Sequence, residues 1–149
     1  MPYLTATELR NRMIRHYDAI YKDSVTGLVD NAKAEADIDA ASARIDSYLG
    51  RLYQVPVTSE KALAVVREWC GVLAEEKARA RSANREVPDS LLAAIRQVLR
   101  ELELAGKGEL TLAGAERLEA AGPSIQGDEE FPFVKADAPV FGRKSLKGF

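Results

Sequence analysis

The side chains that could do chemistry are few and scattered along the sequence. His16 is the only histidine and Cys70 the only cysteine, so the chain cannot form an internal disulfide or a metal site built from several cysteines and histidines. His16 lies between Arg15 and Tyr17 in a helical pattern, which favours a surface or interface side chain over a general base. Cys70 lies in an apolar stripe, where a buried thiol packs as a small hydrophobic side chain and is a poor nucleophile.

Carboxylates are numerous, but their spacing does not indicate a paired acid and base. Asp37, Asp39 and Asp46 fit the solvated side of a helix better. The sequence Gly106-Lys107-Gly108 is too short for a phosphate-binding loop and does not follow a strand pattern. We therefore predict that the protein is not an enzyme and uses no catalytic residue, metal ion or cofactor. A ligand bound in a pocket with convergent polar groups would be evidence that the protein is an enzyme after all.

Clustered basic residues offer a different chemistry, which is contact with nucleic acid. Lys77, Arg79, Arg81 and Arg85, together with the basic residues of the first helix, could line a channel that carries DNA. Cations also suit the end of a helix, where the backbone dipole is negative, and we favour this solvated helix end. The chain has 21 Lys and Arg against 23 Asp and Glu, a net charge of -2, and therefore no global attraction to DNA or to an acidic membrane.

Periodic apolar residues predict the helices that would position these groups. Thr5 and Glu8 have the spacing of a capping box, in which two side chains satisfy exposed amides at a helix start. A first helix follows and stops between Asp23 and Gly27. Its apolar stripe consists of Leu9, Met13, Tyr17 and Ile20.

The second helix is the clearest in the sequence and follows the cap candidates Asp30 and Asn31. We expect it to end near Gln54, because Pro56 disfavours helical geometry in the residue before it and has no amide to donate. Its stripe recurs at steps of three and four residues and consists of Ile38, Ala41, Ile45, Tyr48, Leu49 and Leu52.

A third helix is predicted to start after Thr58 or Ser59, and a fourth to start at Pro88 beyond a polar stretch. The third carries Trp69, the only tryptophan, which we expect at the centre of the core. Gly106 is the expected C-cap of the fourth helix.

These helices predict a mainly α protein, a bundle of about four amphipathic helices around one core. Leu110 to Ala121 adds at most a weak fifth helix, bracketed by Gly114 and Gly122. We expect no leader peptide and no membrane-spanning segment, because no stretch is apolar enough. The predicted core consists of Leu9, Met13, Ile38, Ile45, Leu49, Leu52, Leu63, Val66, Trp69, Leu73, Ile95, Leu99 and Leu102.

The composition changes at Gly122, so we divide the chain into a helical domain, residues 1–121, and an extended C-terminal arm, residues 122–149. Proline and glycine interrupt every helix pattern in the arm, yet it holds all four phenylalanines of the chain. Burying one phenylalanine contributes roughly 1.5–3 kcal/mol, whereas ordering each backbone residue costs roughly 1–2 kcal/mol. The arm can therefore become ordered only if its own domain or another protein supplies apolar surface and hydrogen bonds. The predicted docking residues are Phe131, Phe133, Val140, Phe141, Arg143, Leu146 and Phe149.

Two parts of the arm indicate how it would dock. The alternation in residues 131–134 is compatible with a strand at a sheet edge, with Pro132 restricting it to that position. Residues 143–149 place three cations beside two apolar anchors, which suits an acidic, partly apolar groove. The alternative is that the arm folds back over its own helices.

Three segments of the chain carry a family resemblance: residues 3–9 (YLTATEL), residues 38–57 (IDAASARIDSYLGRLYQVPV) and residues 140–149 (VFGRKSLKGF). They resemble the small head-tail connector (adaptor) proteins of Mu-like tailed phages, and the run from Ala41 to Pro56 is the most distinctive. At Gly142-Arg143-Lys144 the family pattern has a serine, an arginine and an acidic residue, so Lys144 reverses a local charge.

The resemblance implies a helical connector subunit in a ring, expected to be twelvefold, under the capsid portal protein. Packaged DNA would pass through the bore without sequence-specific binding, and a stopper or tail-terminator protein would attach below. The expected location is the head-tail junction of the virion, after synthesis in the host cytoplasm and without membrane contact.

A small helical DNA-binding regulator is the alternative class. The turns around Gly27, Pro56 and Val87 look longer than the turn of a helix-turn-helix, and no helix clusters Arg, Asn and Gln at base-reading spacing. Tight binding of random duplex DNA with a steep salt dependence would favour the regulator.

Overall fold

The computed structural model describes residues 2–82 and 87–118, and within them it confirms a mainly α fold. In chain order the helices are α1 (Ala6–Arg12), α2 (Tyr17–Tyr21), α3 (Asn31–Leu49), α4 (Glu60–Arg81) and α5 (Asp89–Lys107). The β pairing of the described residues is limited to two isolated bridges, Lys22 with Val29 and Tyr53 with Arg117. The C-terminal arm, with all its predicted docking residues, lies outside the described residues.

Side-chain caps fix three of the helix starts. Thr5 and Glu8 form the predicted capping box: Thr5 Oγ1 accepts from the Glu8 amide at 3.2 Å, and Glu8 Oε2 accepts from the Thr5 amide at 2.8 Å. That amide holds the pKa of Glu8 below its usual value. Asp30 caps α3 by accepting from the Ala32 amide at 3.1 Å, and Ser59 caps α4 by accepting from the Ala62 amide at 3.5 Å. Each cap satisfies an amide that the first helical turn leaves without a partner.

The first predicted helix is divided in two. The chain leaves helical geometry after Arg12, Met13 caps α1, and α2 begins at Tyr17. The break redirects the second segment so that Tyr17 and Tyr21 are both buried and their ring centroids lie 4.8 Å apart. Apolar spacing alone could not predict it, because the stripe is compatible with one continuous helix.

The end of α3 and the segment after α5 also differ from prediction. α3 ends at Leu49 instead of near Gln54, and the predicted weak helix is absent from the described residues 110–118. The two segments pair with each other instead: Gln54 donates its amide to the Glu116 carbonyl at 2.9 Å, and Leu118 donates to the Leu52 carbonyl at 2.9 Å. Tertiary pairing therefore replaces helical hydrogen bonds in both places.

Gly106 was predicted to be the C-cap of α5, and this prediction is wrong. Gly108 caps the helix in the left-handed region, at φ 82°, where glycine adopts the backbone conformation without strain. Gly106 lies inside the helix, where a Cβ would come within 2.8 Å of the Tyr48 carbonyl oxygen. Its small size allows α3 and α5 to approach closely.

The core is formed by α3, α4 and α5, which all pack against one another, while α1 and α2 each contact α3 and α4. Ten of the thirteen predicted core residues are buried, and Leu52, Leu63 and Leu99 are partly buried against them. Trp69 is buried between α4 and α5, where its indole reaches the edge of the core and Glu101.

Candidate functional site

Cys70 is buried in the core, as its apolar stripe predicts. Its Sγ lies 3.5 Å from Ser42 Oγ and 4.0 Å from the Ile38 carbonyl oxygen. Burial raises the pKa of the thiol above its ordinary value. Because the thiolate is the reactive form, this position disfavours nucleophilic chemistry.

His16 is exposed at the start of α2, and its side chain makes no capping hydrogen bond there. It lines a cleft of about 590 Å³ together with Arg79 and Asp89. Within the described ranges, no group of three or more His, Cys, Asp or Glu side chains is arranged to hold a metal ion.

Asp37 is buried, at 5% exposure, so its predicted place on the solvated side of the helix is wrong. It accepts a hydrogen bond from the Tyr21 hydroxyl at 2.9 Å and two from Arg81, from Nε at 2.7 Å and Nη2 at 2.8 Å. Asp37 lies on one face of α3 with Ala34 and Ala41, which are both buried, and this explains why the carboxylate points inward. It ties α2, α3 and the end of α4 together.

Asp39 and Asp46, the other two carboxylates that were predicted to face solvent, are less buried than Asp37. Asp39 is exposed, as predicted, whereas Asp46 is partly buried and accepts a hydrogen bond from the Tyr3 hydroxyl. The same hydroxyl accepts the buried Val57 amide at 3.0 Å, and the Tyr3 amide donates to Ser42 at 3.2 Å. The amino-terminal segment is therefore fastened to α3 and to the loop before α4.

The predicted channel residues are largely used inside the molecule. Arg79 donates twice to Glu75, at 3.1 and 2.9 Å, and Arg81 binds Asp37. Lys77 is partly buried on α4, and Arg85 lies outside the described residues. Two of these four cations are thus already neutralised by carboxylates of the same chain, which weakens their attraction for phosphate.

Arg12 extends this ion-pair cluster to α1. Its Nη1 lies 2.9 Å from Glu68 Oε1, and its Nε lies 3.4 Å from Glu75 Oε2, so one guanidinium bridges two turns of α4. The side chain also packs over Gly71, where a Cβ would come within 3.1 Å of Nη1. No pattern local to either helix indicates this contact, since the pairs lie 56 and 63 residues apart.

Three large apolar side chains are strongly exposed on either side of α2. Ile14 precedes it at 81% exposure, and Val25 and Leu28 follow it at 90% and 72%. The turn that presents the last two is ordered by its own hydrogen bonds, from Gly27 to the Asp23 carbonyl and from Asp23 to the Leu28 carbonyl. Apolar side chains exposed singly in this way are common on protein surfaces and do not by themselves indicate a contact site.

A groove of about 460 Å³ runs between α4 and α5. Its apolar lining includes Trp69, Val72 and Val98, which are buried, and Val65, which is 41% exposed. Glu68 and Glu101 lie along it, so the groove combines an apolar floor with acidic side chains. We call it the α4/α5 groove.

These features define a class: a small helical protein whose charged side chains fasten its own elements and whose surfaces suit contact with other molecules. None of the helices in residues 2–82 and 87–118 has the length and apolar character that crossing a bilayer requires.

Comparison with known proteins identifies the family. The family model described as Bacteriophage Mu, Gp36 matches residues 3–128. The chain is 33% identical over 152 residues to gene product J of Escherichia phage Mu, an alignment that covers 100% of this chain and 99% of gene product J. The chain therefore belongs to the bacteriophage Mu Gp36 family and is a phage structural or morphogenesis protein.

Proposed function

We propose that this protein is a head-tail connector subunit, which forms a ring under the capsid portal protein and carries a stopper or tail-terminator protein below. The observation that carries the proposal is its end-to-end similarity to gene product J, which covers the whole chain and so includes residues 129–149, beyond the family model match. The predicted docking residues all lie in that stretch. Twelve copies, packaged DNA in the bore and a place at the head-tail junction of the virion belong to the same proposal.

The ion pairs of α4 are consistent with DNA passing through such a ring. A channel must let DNA slide, and each phosphate that a free Lys or Arg neutralises adds affinity and salt dependence. Arg79 and Arg81 are held by Glu75 and Asp37, which reduces the positive potential they present. This arrangement favours passage over tight binding.

The alternative, a DNA-binding regulator, gains no support from the helix geometry. Among the described residues, the short turn from Met13 to His16 has the length of a helix-turn-helix turn, but it leads into α2, which has only five residues. The connections from Gly50 to Ser59 and from Ser82 to Pro88 are longer than that turn. We therefore retain the connector as the proposed function.

The proposal is tested by removing residues 130–149 and measuring attachment to portal-bearing capsids. We expect the circular dichroism spectrum of the helical domain to persist and attachment to be lost. A matched control carries residues 130–149 in shuffled order, which keeps composition and length but removes the spacing of the docking residues. Attachment by the deleted chain, or loss of the helical spectrum, would contradict the proposal.

A further inference from the structure

The walls of the α4/α5 groove provide both apolar surface and negative charge. Trp69 Nε1 donates to Glu101 Oε2 at 2.7 Å, and Gln97 Nε2 donates to Glu101 Oε1 at 2.9 Å. Both donors are neutral, and within the described part of the chain no basic side chain lies within 4.0 Å of the Glu101 carboxylate. Two neutral donors therefore hold the Glu101 carboxylate in place, and no cation of residues 2–82 or 87–118 pairs with it.

The opposite wall adds a second carboxylate and an exposed apolar side chain. Glu68 pairs with Arg12 but remains 65% exposed, and Val65 lies one turn before Trp69 on α4. A fitting ligand therefore has apolar side chains for the floor and cations for the walls. A purely apolar or an acidic segment would exclude water from the Glu101 carboxylate without supplying an opposite charge, which is costly.

Residues 140–149 of this chain have that composition. The segment VFGRKSLKGF contains four apolar side chains, three cations and no acidic residue. Arg143, Lys144 and Lys147 give it a net positive side-chain charge. Some twenty residues separate it from Leu118, the last described residue, and an extended chain at roughly 3.3 Å per residue covers on the order of 70 Å. That reach is sufficient for a neighbouring copy.

We propose that the α4/α5 groove binds residues 140–149 of a second copy of this chain. Each copy then offers one groove and one segment, so the contact is head-to-tail, the type that closes into a ring when the rotation between copies allows it. The inference rests on the proposed function, since it names a contact between subunits of the ring. Its failure can be distinguished from that of the proposed function.

The first test uses Trp69 as a reporter, because it is the only tryptophan and lies in the groove. A synthetic peptide of residues 140–149 is titrated into the full-length protein, and we expect a saturable change in tryptophan fluorescence. Glu101→Gln keeps an acceptor for the indole but removes the charge, and is expected to weaken binding about tenfold. Glu103→Gln, the matched control on the exposed side of α5, should bind like the unaltered protein.

The second test asks which copy supplies the segment. Val65→Cys and Phe141→Cys are introduced into separate full-length chains, which are mixed and oxidised; the native Cys70 is buried and does not compete. We expect disulfide-linked dimers of one chain of each kind. A third chain that carries both substitutions is oxidised in parallel. A cross-link that forms within this chain, and not between the separate chains, would overturn the assignment to a second copy.

The outcomes separate the two proposals. No fluorescence change with peptide, or equal weakening by Glu101→Gln and Glu103→Gln, would remove the groove assignment. If the groove assignment failed but the full-length protein still attached to portal-bearing capsids through residues 130–149, the proposed connector function would stand. Peptide binding together with cross-linking between copies would support the groove contact directly.

Discussion

Replacing Asp37 by alanine is the most informative perturbation of the fold. The carboxylate accepts three hydrogen bonds, one from Tyr21 on α2 and two from Arg81 at the end of α4. It is also the only acceptor found for the Tyr21 hydroxyl among the described residues, and that side chain is fully buried. The substitution thus removes one group and affects three helices.

The expected loss can be assembled from the two partners. A buried hydroxyl left without an acceptor costs roughly 1–3 kcal/mol. The Arg81 side chain is 45% exposed, so water replaces much of its lost partner, and that ion pair adds only about 0–1 kcal/mol. Asp37→Ala should therefore lower the free energy of unfolding by roughly 1–4 kcal/mol, and Asp37→Asn by roughly half as much, since it keeps one acceptor.

Urea unfolding followed by Trp69 fluorescence and by circular dichroism measures this loss. Asp39→Ala is the matched control, because it removes an exposed carboxylate from the same helix and should change stability by less than about 0.5 kcal/mol. Combining Asp37→Ala with Tyr21→Phe should cost less than the sum of the single substitutions, since the orphaned hydroxyl is gone. If Asp37→Ala proved as stable as Asp39→Ala, the network would not hold the helices together.

Two further predictions concern helix packing and pH. Gly106→Ala should destabilise the protein by about 1–3 kcal/mol despite the better helix propensity of alanine, because its Cβ would meet the Tyr48 carbonyl oxygen at 2.8 Å; thermal unfolding measures this. Burial, with hydrogen bonds to carboxylates, raises the pKa of Tyr3 and of Tyr21. Both phenols then ionise more readily in the unfolded chain, whose tyrosine pKa is about 10, so this contribution to stability is intact below about pH 10 and is lost as the pH rises further. Urea midpoints across that range should fall, and less steeply in a chain with Tyr3→Phe and Tyr21→Phe; equal slopes would contradict the assignment.

Local signals in the sequence predicted the helix starts well. Thr5, Asp30 and Ser59 each cap the helix that their type and position indicate, because a cap depends on residues within one turn. Helix ends were less predictable. Gly106 and Gly108 both suit a C-cap by type, and only the close approach of α3 decides which of them fills that role.

The charged interior was not predictable from local patterns. Asp37 was assigned to solvent because a carboxylate is rarely buried, yet its partners lie 16 and 44 residues away along the chain. A helical projection of α3 places it on the same face as Ala34 and Ala41, which are both buried, and this neighbourhood was the available signal. The α4/α5 groove likewise requires two helices to be placed side by side, which no local pattern in either helix shows.

The contacts of Tyr3 affect the order in which this chain can fold during synthesis. Its partners Ser42, Asp46 and Val57 follow it by 39, 43 and 54 residues. At roughly 5–20 residues per second, a ribosome delivers Tyr3 about 3–10 s before Val57. The segment around Tyr3 therefore cannot complete its docking until Val57 has been made, and until then the surface it will cover on α3 stays open to chaperones or to other nascent chains.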